Sequence, residues 1–378
     1  MAKIYLIRHC ESEGNACRRT QAQTDALVTT KGYLQCEALR RRFQGVPIHG
    51  LYSSDAFRSI STLEPIAKER GLPIHVSIHL REVTTGIWED MAWGNIAQDY
   101  PQDFRNWDEH PWDHTTPGAT TFLQAAQRVA FFLRRVAQEV GDGTALCVSH
   151  SCAIKAALCL LTGRPLSQVG EVGHGDNTAV SLLHIDGQGA VTAEYMNDDS
   201  HLPDHLRRAW SGVAGADVNM AVNPVVLPRD GQALLELAQA EFCQRQGEEK
   251  VFPREQWMAQ AEHLLATHPN YLALCSLHGK PVGFVRMARL EDMPRTCGHV
   301  ETMFVRPELQ GKGYTEQLFG YAAHTFRYEG LTSLTISRPV LPEEQRVAER
   351  FVFAPMAGFE DYLALELFSP PCPYPILA

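Results

Sequence analysis

Residues 3–15 read K-I-Y-L-I-R-H-C-E-S-E-G-N, from Lys3 to Asn15, and the fold is read outward from them. Ile4 to Ile7 is a short apolar run with a β-branched residue at each end, which predicts a buried strand. Arg8 and His9 follow at its carboxyl end, and Gly14 and Asn15 supply turn chemistry. In an open α/β sheet, ligands bind outside the carboxyl ends of the strands. A guanidinium matches phosphate oxygens with its planar fork. An imidazole is a nucleophile or acid/base near neutral pH. Taken alone, Arg-His is also an ordinary surface pair ending a strand, so its meaning depends on the rest of the chain.

The 378 residues suggest about two or three domains. Hydrophobic residues make up 44% and charged residues 21%, as in a globular protein. The net charge of -10 and a pI near 5.9 argue against a general nucleic-acid or anionic-membrane binder. A locally basic pocket for a small phosphorylated molecule remains compatible with that balance. The ten cysteines are scattered, with no C-x-x-C pair, and are expected as reduced thiols of a cytoplasmic protein. No signal peptide is read at Met1, and no apolar run approaches the roughly 18–20 residues that span a bilayer.

Along the first half, Thr30–Phe43 and Asp55–Arg70 have helical spacing, and Leu51–Ser54 reads as a strand between them. Arg58 falls in the first turn of the second helix, at the same edge of the sheet as Arg8. Arg81-Glu82 follows another apolar run. Val83–Asp113 is loop-like and rich in tryptophan (Trp88, Trp93, Trp107, Trp112), the composition of a lid or pocket wall. Thr121–Val140 is a strongly amphipathic helix. Ala145–Ser149 predicts a buried strand, His150 stands at its end, and Ser151–Leu161 continues as a helix. A closing hairpin is expected around Asp186-Gly187. Alternating strands and helices imply right-handed crossovers and a largely parallel sheet.

Six stretches then converge on one family. They are R-H-C-E-S-E-G-N at 8–15, S-S-D-A-F-R at 53–58, L-R-E at 80–82, G-I-W-E-D at 86–90, V-S-H-S at 148–151 and N-D-D-S-H-L at 197–202. In that order they resemble the histidine phosphatase superfamily, the phosphoglycerate mutase-like branch, over roughly residues 1–210. The resemblance implies a three-layer α/β/α domain in which His9 attacks phosphorus. Arg8, Arg58 and His150 would hold the phosphate oxygens, and Asn15 would add a hydrogen bond. Glu82 would protonate the leaving oxygen and then activate water, and no metal is implied. Cys10 stands where the family usually has Gly, and P-G-A-T-T at 117–121 replaces a P-G-G-E-S pattern. The longer insert of a glycolytic mutase is not evident, which favours phosphatase over a phosphoglycerate mutase-type phosphotransferase.

Residues 211–224 are small and weakly patterned, with Pro224 and Pro228 nearby, and are the expected linker. Beyond it come helices over Gly231–Gln244 and Arg254–Ala266, then strands Tyr271–Ser276 and Val282–Ala288 around His278-Gly279-Lys280. His299–Val305 is a further strand, followed by V-R-P-E-L-Q-G-K-G-Y-T at 305–315 and a helix from Glu316 to Tyr328. Strand Ser333–Ser337, helix Glu343–Phe351 and a strand near Tyr362–Leu367 complete the series. A glycine-bearing loop between strand and helix can aim N–H groups at a diphosphate.

This half, 225–378, resembles the GNAT superfamily of N-acetyltransferases, an α+β domain with a mixed sheet. The resemblance implies acetyl-CoA as cofactor and an amine as acetyl acceptor. Val305 would meet the pantetheine arm, and Gln310, Gly311, Lys312, Gly313, Tyr314 and Thr315 would hold the pyrophosphate. Glu301 stands where a general base is often found. The loop ends in Thr315 rather than Gly or Ala, and Ala354 occupies the place of a frequent Tyr, with Tyr362 out of register. A GNAT-like domain that only binds a ligand and regulates the phosphatase is the alternative. Neither substrate nor the oligomeric state is legible.

Overall fold

A computed structural model of the chain describes residues 1–173, 175–207 and 218–377. The first half runs β1 (Ala2–Arg8), α1 (Glu13–Ala16), α2 (Thr30–Arg42), β2 (Gly50–Ser53), α3 (Phe57–Arg70) and β3 (Ile74–Ser77). It continues with α4 (Trp93–Asp99), α5 (Pro101–Glu109), α6 (Phe122–Val140), β4 (Thr144–Ser149), α7 (Ser151–Leu161), β5 (Val180–Ile185) and β6 (Val191–Asp198). The second half runs β7 (Ala221–Pro224), α8 (Gly231–Gln246), α9 (Arg254–Thr267), β8 (Leu272–Leu277), β9 (Lys280–Ala288) and β10 (Cys297–Val305). Then follow α10 (Tyr314–Tyr328), β11 (Ser333–Ser337), α11 (Pro342–Arg350), β12 (Ala354–Met356), β13 (Phe359–Glu366) and β14 (Ile376–Leu377).

The first sheet has the order β14-β3-β2-β4-β1-β5-β6. β1 lies parallel to β4 and antiparallel to β5, so the strand that ends in Arg8 sits inside the sheet. Strand side chains alternate between faces, and both faces are covered. Ile4 and Leu6 pack with Val129, Leu133, Ile154 and Leu158 of α6 and α7. Ile7, Leu51 and Val148 pack with Leu39, Ile60 and Leu63 of α2 and α3. This is the expected three-layer α/β/α domain. Helix α6 begins where T-T follows P-G-A because Thr121 and Gln124 form a capping box. Gln124 N–H donates to Thr121 Oγ1 at 3.1 Å, and Thr121 N–H donates to Gln124 Oε1 at 2.8 Å.

The second sheet has the order β12-β13-β11-β10-β9-β8-β7. Only β10 and β11 are parallel within it. Helices α10 and α11 cover one face and α8 and α9 the other. The mixed sheet with helices is the expected α+β domain.

Three expectations need correction. The segment 83–113 is not a loop throughout, because α4 and α5 lie within it. Helix α5 has no fully buried side chain, and only Phe104 and Trp107 on it are half-buried. Trp88 is fully buried among Tyr100, Trp107 and His114, and Trp107 reaches Phe122 at 5.8 Å between ring centroids. These rings form a small aromatic core over the first turn of α6. Second, of the expected linker 211–224, residues 211–217 lie outside the described residues, and Ala221–Pro224 form β7 of the second sheet. Pro224 is tolerated there because β7 is an edge strand. Third, the segment assigned to 225–378 does not stay with the second domain. Ile376 and Leu377 pair parallel with Val76 and Ser77 of β3 in the first sheet.

The two domains share an apolar cluster. Ala16 and Cys17 of the first belong to the core formed by Leu318, Phe319, Ala322 and Phe326 of α10. Gly320 makes this approach possible, since a Cβ there would lie 2.5 Å from Cys17 Cβ. Gly94 does the same for the backbone at Met220, 2.1 Å from its ideal Cβ. Around this seam, Arg327 forks onto Glu13, with Nη1 to Oε1 at 2.7 Å, and Arg350 Nη2 meets Glu11 Oε1 at 2.7 Å. His324 Nδ1 lies 2.6 Å from Asp90 Oδ2, and Arg19 Nε lies 3.0 Å from Asp90 Oδ1.

Burial opposes the charge on Asp90, but the His324 hydrogen bond and the Arg19 guanidinium outweigh it and hold the carboxyl at about 2. A depressed carboxyl contributes stability that is present above its ordinary pKa and lost as pH falls through the folded value. Asp90→Asn should therefore cost about 1–2 kcal/mol near pH 6, discounting for partly exposed His324. The gap to wild type should close as the pH approaches 3 and below. Urea unfolding at several pH values checks this, and a gap that does not change with pH would contradict it.

Candidate active site

The end of β1 is fixed by its neighbours. His9 N–H donates to Ser149 O at 2.9 Å, Arg8 N–H to Ala179 O at 3.0 Å, and Asn177 Nδ2 to His9 O at 2.9 Å. His9 Nδ1 lies 2.7 Å from Cys10 O. A carbonyl only accepts, so Nδ1 carries the proton and Nε2 carries the lone pair. The ring of His150 stands 5.0 Å from that of His9. His150 Nδ1 lies 3.3 Å from Arg58 Nη2, and its Nε2 lies 2.8 Å from Ser54 Oγ. A guanidinium only donates, so Nδ1 accepts and Nε2–H donates to the serine. That is a neutral imidazole. Burial, then the positive charge of Arg58 and the neighbouring His9, push the His150 pKa well below its ordinary value.

Arg58 is buried at the start of α3. Its Nη1 donates to Thr24 O at 3.2 Å and its Nη2 to Gln21 O at 3.1 Å, while Asp25 Oδ1 is 3.5 Å away. Arg8 Nη1 donates to Gly175 O at 2.9 Å. Arg8, His9, Arg58 and His150 all stand at the same edge and are all buried. Asn15 Oδ1 accepts from Ser12 N–H at 3.2 Å and from Asn177 Nδ2 at 3.1 Å, which ties it to the same loop as His9.

Glu82 is held differently. Its Oε1 accepts from Val83 N–H and Ala153 N–H, both at 2.8 Å, and its Oε2 from Cys152 N–H at 3.1 Å. It thus sits on the first turn of α7, the helix that His150 opens. Arg128 of α6 braces the backbone beneath it, donating to Ile78 O at 2.8 Å, Arg81 O at 3.0 Å and Glu82 O at 3.3 Å.

Cys10, the departure from Gly, leaves the pocket alone. Its N–H donates to Thr62 Oγ1 at 2.8 Å, its thiol reaches Arg58 O at 3.5 Å, and it packs with Val28 and Cys36. Sequence reasoning missed Ser54, Gln21, Asn177 and Arg128. Ser54 lies inside the S-S-D-A-F-R stretch, but nothing in that stretch says which histidine it meets. Gln21 Oε1 accepts from Gly14 N–H at 3.1 Å and Ser12 Oγ at 3.2 Å, contacts made only once the loop folds.

In the second domain, β10 and β11 pair as far as Val300 and Ile336, after which β10 continues to Val305. Glu301 is exposed and ion-paired with Arg286 at 2.7 Å. Val305 O accepts from Gln310 Nε2 at 2.9 Å, and Lys312 Nζ donates to Glu308 O at 3.0 Å. Helix α10 starts at Tyr314, two residues before the expected Glu316, so Thr315 is helical and Tyr314 is buried. Gly311 N–H donates to Glu343 Oε1 at 2.9 Å, and Thr315 Oγ1 to Glu343 Oε2 at 2.8 Å. That carboxylate takes up two donors, the Gly311 amide and the Thr315 hydroxyl, that the loop would otherwise offer to the pyrophosphate of acetyl-CoA. Ala354 lies in β12, and the ring of Tyr362 meets His299 edge-on at 5.4 Å.

Comparison with known proteins agrees with both halves. Residues 4–199 match the histidine phosphatase superfamily (branch 1), and residues 231–351 match the acetyltransferase (GNAT) family. The chain belongs to the histidine phosphatase superfamily. It carries a GNAT domain in the same polypeptide, and both domains are of enzyme families. Phosphoserine phosphatase 1 of Hydrogenobacter thermophilus is 30% identical over 213 residues, 56% of this chain and 100% of that protein. The Salmonella typhi protein named "Probable phosphoglycerate mutase GpmB" is 29% identical over 165 residues, 44% of this chain and 77% of its own length. Bacillus stearothermophilus YhfR superposes with a TM-score of 0.51 at 26% identity, covering 53% of this chain and 99% of that one. Among the described residues, no helix is long and apolar enough to cross a membrane.

Ser54→Ala removes the hydroxyl that orients His150 through Nε2. A lost buried hydrogen bond of about 1–1.5 kcal/mol corresponds to a roughly tenfold fall in kcat/KM. Steady-state kinetics on a phosphomonoester checks this, and a rate equal to wild type would remove Ser54 from the site.

Proposed function

We propose that the first domain hydrolyses a small phosphomonoester through a phosphohistidine on His9. The observation that carries this reading is the tautomer of His9. Its Nδ1–H donates to the Cys10 carbonyl, which leaves the Nε2 lone pair for chemistry. Around it stand Arg8 and Arg58, which offer donors and positive charge, and the neutral ring of His150. Such a set suits the charge spread over the three oxygens of a transferring phosphoryl group.

In the first step the Nε2–P bond forms as the P–O bond to the alcohol breaks, and Glu82 delivers a proton to the departing oxygen. In the second, Glu82 takes a proton from water, the water oxygen bonds to phosphorus, and the Nε2–P bond breaks to release phosphate. Asn15 steadies the phosphoryl oxygens. The full-length match to a protein named phosphoserine phosphatase supports hydrolysis and an amino-acid-sized ester over transfer. The partial match to a mutase-named protein keeps phosphotransfer between two sites on a glycerate as the competing reading. The GNAT domain brings acetyl-CoA and an amine acceptor as its ligand classes, either as substrates or as regulators of the phosphatase. The protein acts as a cytoplasmic enzyme in this reading.

A panel of phosphomonoesters led by phosphoserine tests it. Wild type should turn over without added metal and equally with EDTA present. His9→Ala should lose on the order of 1,000-fold or more, the scale of removing a nucleophile. Turnover that requires a bisphosphate primer would favour the mutase, and equal turnover by both proteins would defeat the assignment of His9.

A further inference from the structure

Helix α11 contributes to the second domain in a way the sequence did not suggest. Its first turn carries Glu343, a buried carboxylate with 5% exposure. That carboxylate accepts from the backbone N–H of Gly311 at 2.9 Å and from the hydroxyl of Thr315 at 2.8 Å. It also pairs with Arg346 one turn on. One donor lies in the strand-to-helix loop that an anion would be expected to enter, and the other on the first turn of the helix that follows it. A carboxylate presents two oxygens with negative charge, as a phosphate edge does, so these donors are satisfied from within the chain.

Thr315 gains a meaning from this contact. Gly or Ala at that position would offer no hydroxyl, and Glu343 would keep the Gly311 amide and Arg346 but lose the partner of its second oxygen. The side chain that departs from the loop pattern is the one that completes the internal carboxylate site.

The far end of α11 is tied to the first domain. Arg350 meets Glu11 at 2.7 Å, and the backbone carbonyl of Glu349 accepts from Thr30. Glu344 is held by Arg245 of α8. The helix is therefore latched at both ends while Glu343 fills the loop.

We propose that Glu343 is a resident occupant of the anion loop of the second domain, and that acetyl-CoA enters only when α11 moves out and withdraws it. This rests on the reading of residues 310–315 as the acetyl-CoA loop. It makes the wild-type protein a weak binder and α11 the gate. Removing the carboxylate, or loosening the helix from the first domain, should each strengthen binding.

Isothermal titration of the full chain with acetyl-CoA, and separately with inorganic pyrophosphate, tests the gate. Glu343→Ala and the conservative Glu343→Gln should bind acetyl-CoA at least tenfold more tightly than wild type. Arg350→Ala, which touches no loop donor, should tighten binding by threefold or more. The phosphatase site is common to wild type and the two Glu343 variants and cancels in their comparison; Arg350→Ala, whose partner Glu11 lies beside His9, is compared with wild type using acetyl-CoA alone. Equal affinity of wild type and both Glu343 variants for acetyl-CoA would overturn the gate while leaving acetyl-CoA as the ligand. Pyrophosphate binding gained in the Glu343 variants without any acetyl-CoA binding would uphold the internal occupant and overturn the acetyl-CoA reading. No gain for either probe would overturn the proposal. Tighter binding in the Glu343 variants with Arg350→Ala unchanged would overturn the movement of α11.

Discussion

Two carboxylates stand directly after the candidate nucleophile, and both are buried. Glu11 and Glu13 follow His9 by two and four residues, with 6% and 1% exposure. A buried charge without a partner is among the most destabilising features a protein can carry. Lys31 approaches Glu11 from within the first domain at 3.8 Å, and Thr29 Oγ1 donates to it at 2.7 Å. The close charged partners, however, come from the second domain, as Arg350 and Arg327. The loop that presents His9 is thus electrostatically complete only with the second domain docked. The relative matched over its whole length spans only 56% of this chain, so this pairing belongs to the two-domain arrangement.

The same economy of charge appears in the pocket. Arg58 is anchored mainly by backbone carbonyls, with Asp25 at the longer distance of 3.5 Å. Burial lowers the pKa of Arg58 despite Asp25 and Glu82. A cation held by dipoles rather than neutralised by a close carboxylate keeps attraction in reserve for an incoming dianion. His150, with its nitrogens engaged by Arg58 and Ser54, adds a polar ring without adding charge. Glu82 is set apart on the amides of α7.

How much of this was legible follows from the range of each signal. Strands β1 and β4 declared themselves by apolar runs, and α6 by its amphipathic period and its threonine cap. Arg8, His9, Arg58 and His150 could be singled out because each sits at a strand end or first helical turn, where local pattern and family motifs coincide. Helix α5 was hidden because it packs through only two half-buried aromatic residues, Phe104 and Trp107. Strand β7 was hidden because it is four residues long, ends in proline and draws its stability from β8. Ser54, Asn177 and Arg128 act through contacts with residues distant in sequence, which no local period encodes. Thr315 was visible as a departure from a motif, but its partner Glu343 lies 28 residues away on another helix. Glu301 was placed on the right strand, yet its carboxylate is paired with Arg286 of the neighbouring strand.

Strand β14 gives the chain an unusual order of assembly. Residues 376 and 377 pair with β3, which otherwise would be the open edge of the first sheet. Cys372 and Tyr374, just before them, pack on the core shared by α2 and α3. A chain made from its amino terminus therefore emerges with the first sheet unfinished, and the second domain is synthesised before the edge is covered. During that interval β3 offers unpaired N–H and C=O groups, a template on which another nascent chain can add. Co-translational maturation of the first domain is thereby tied to completion of the second, and its solubility during synthesis depends on the tail that closes it.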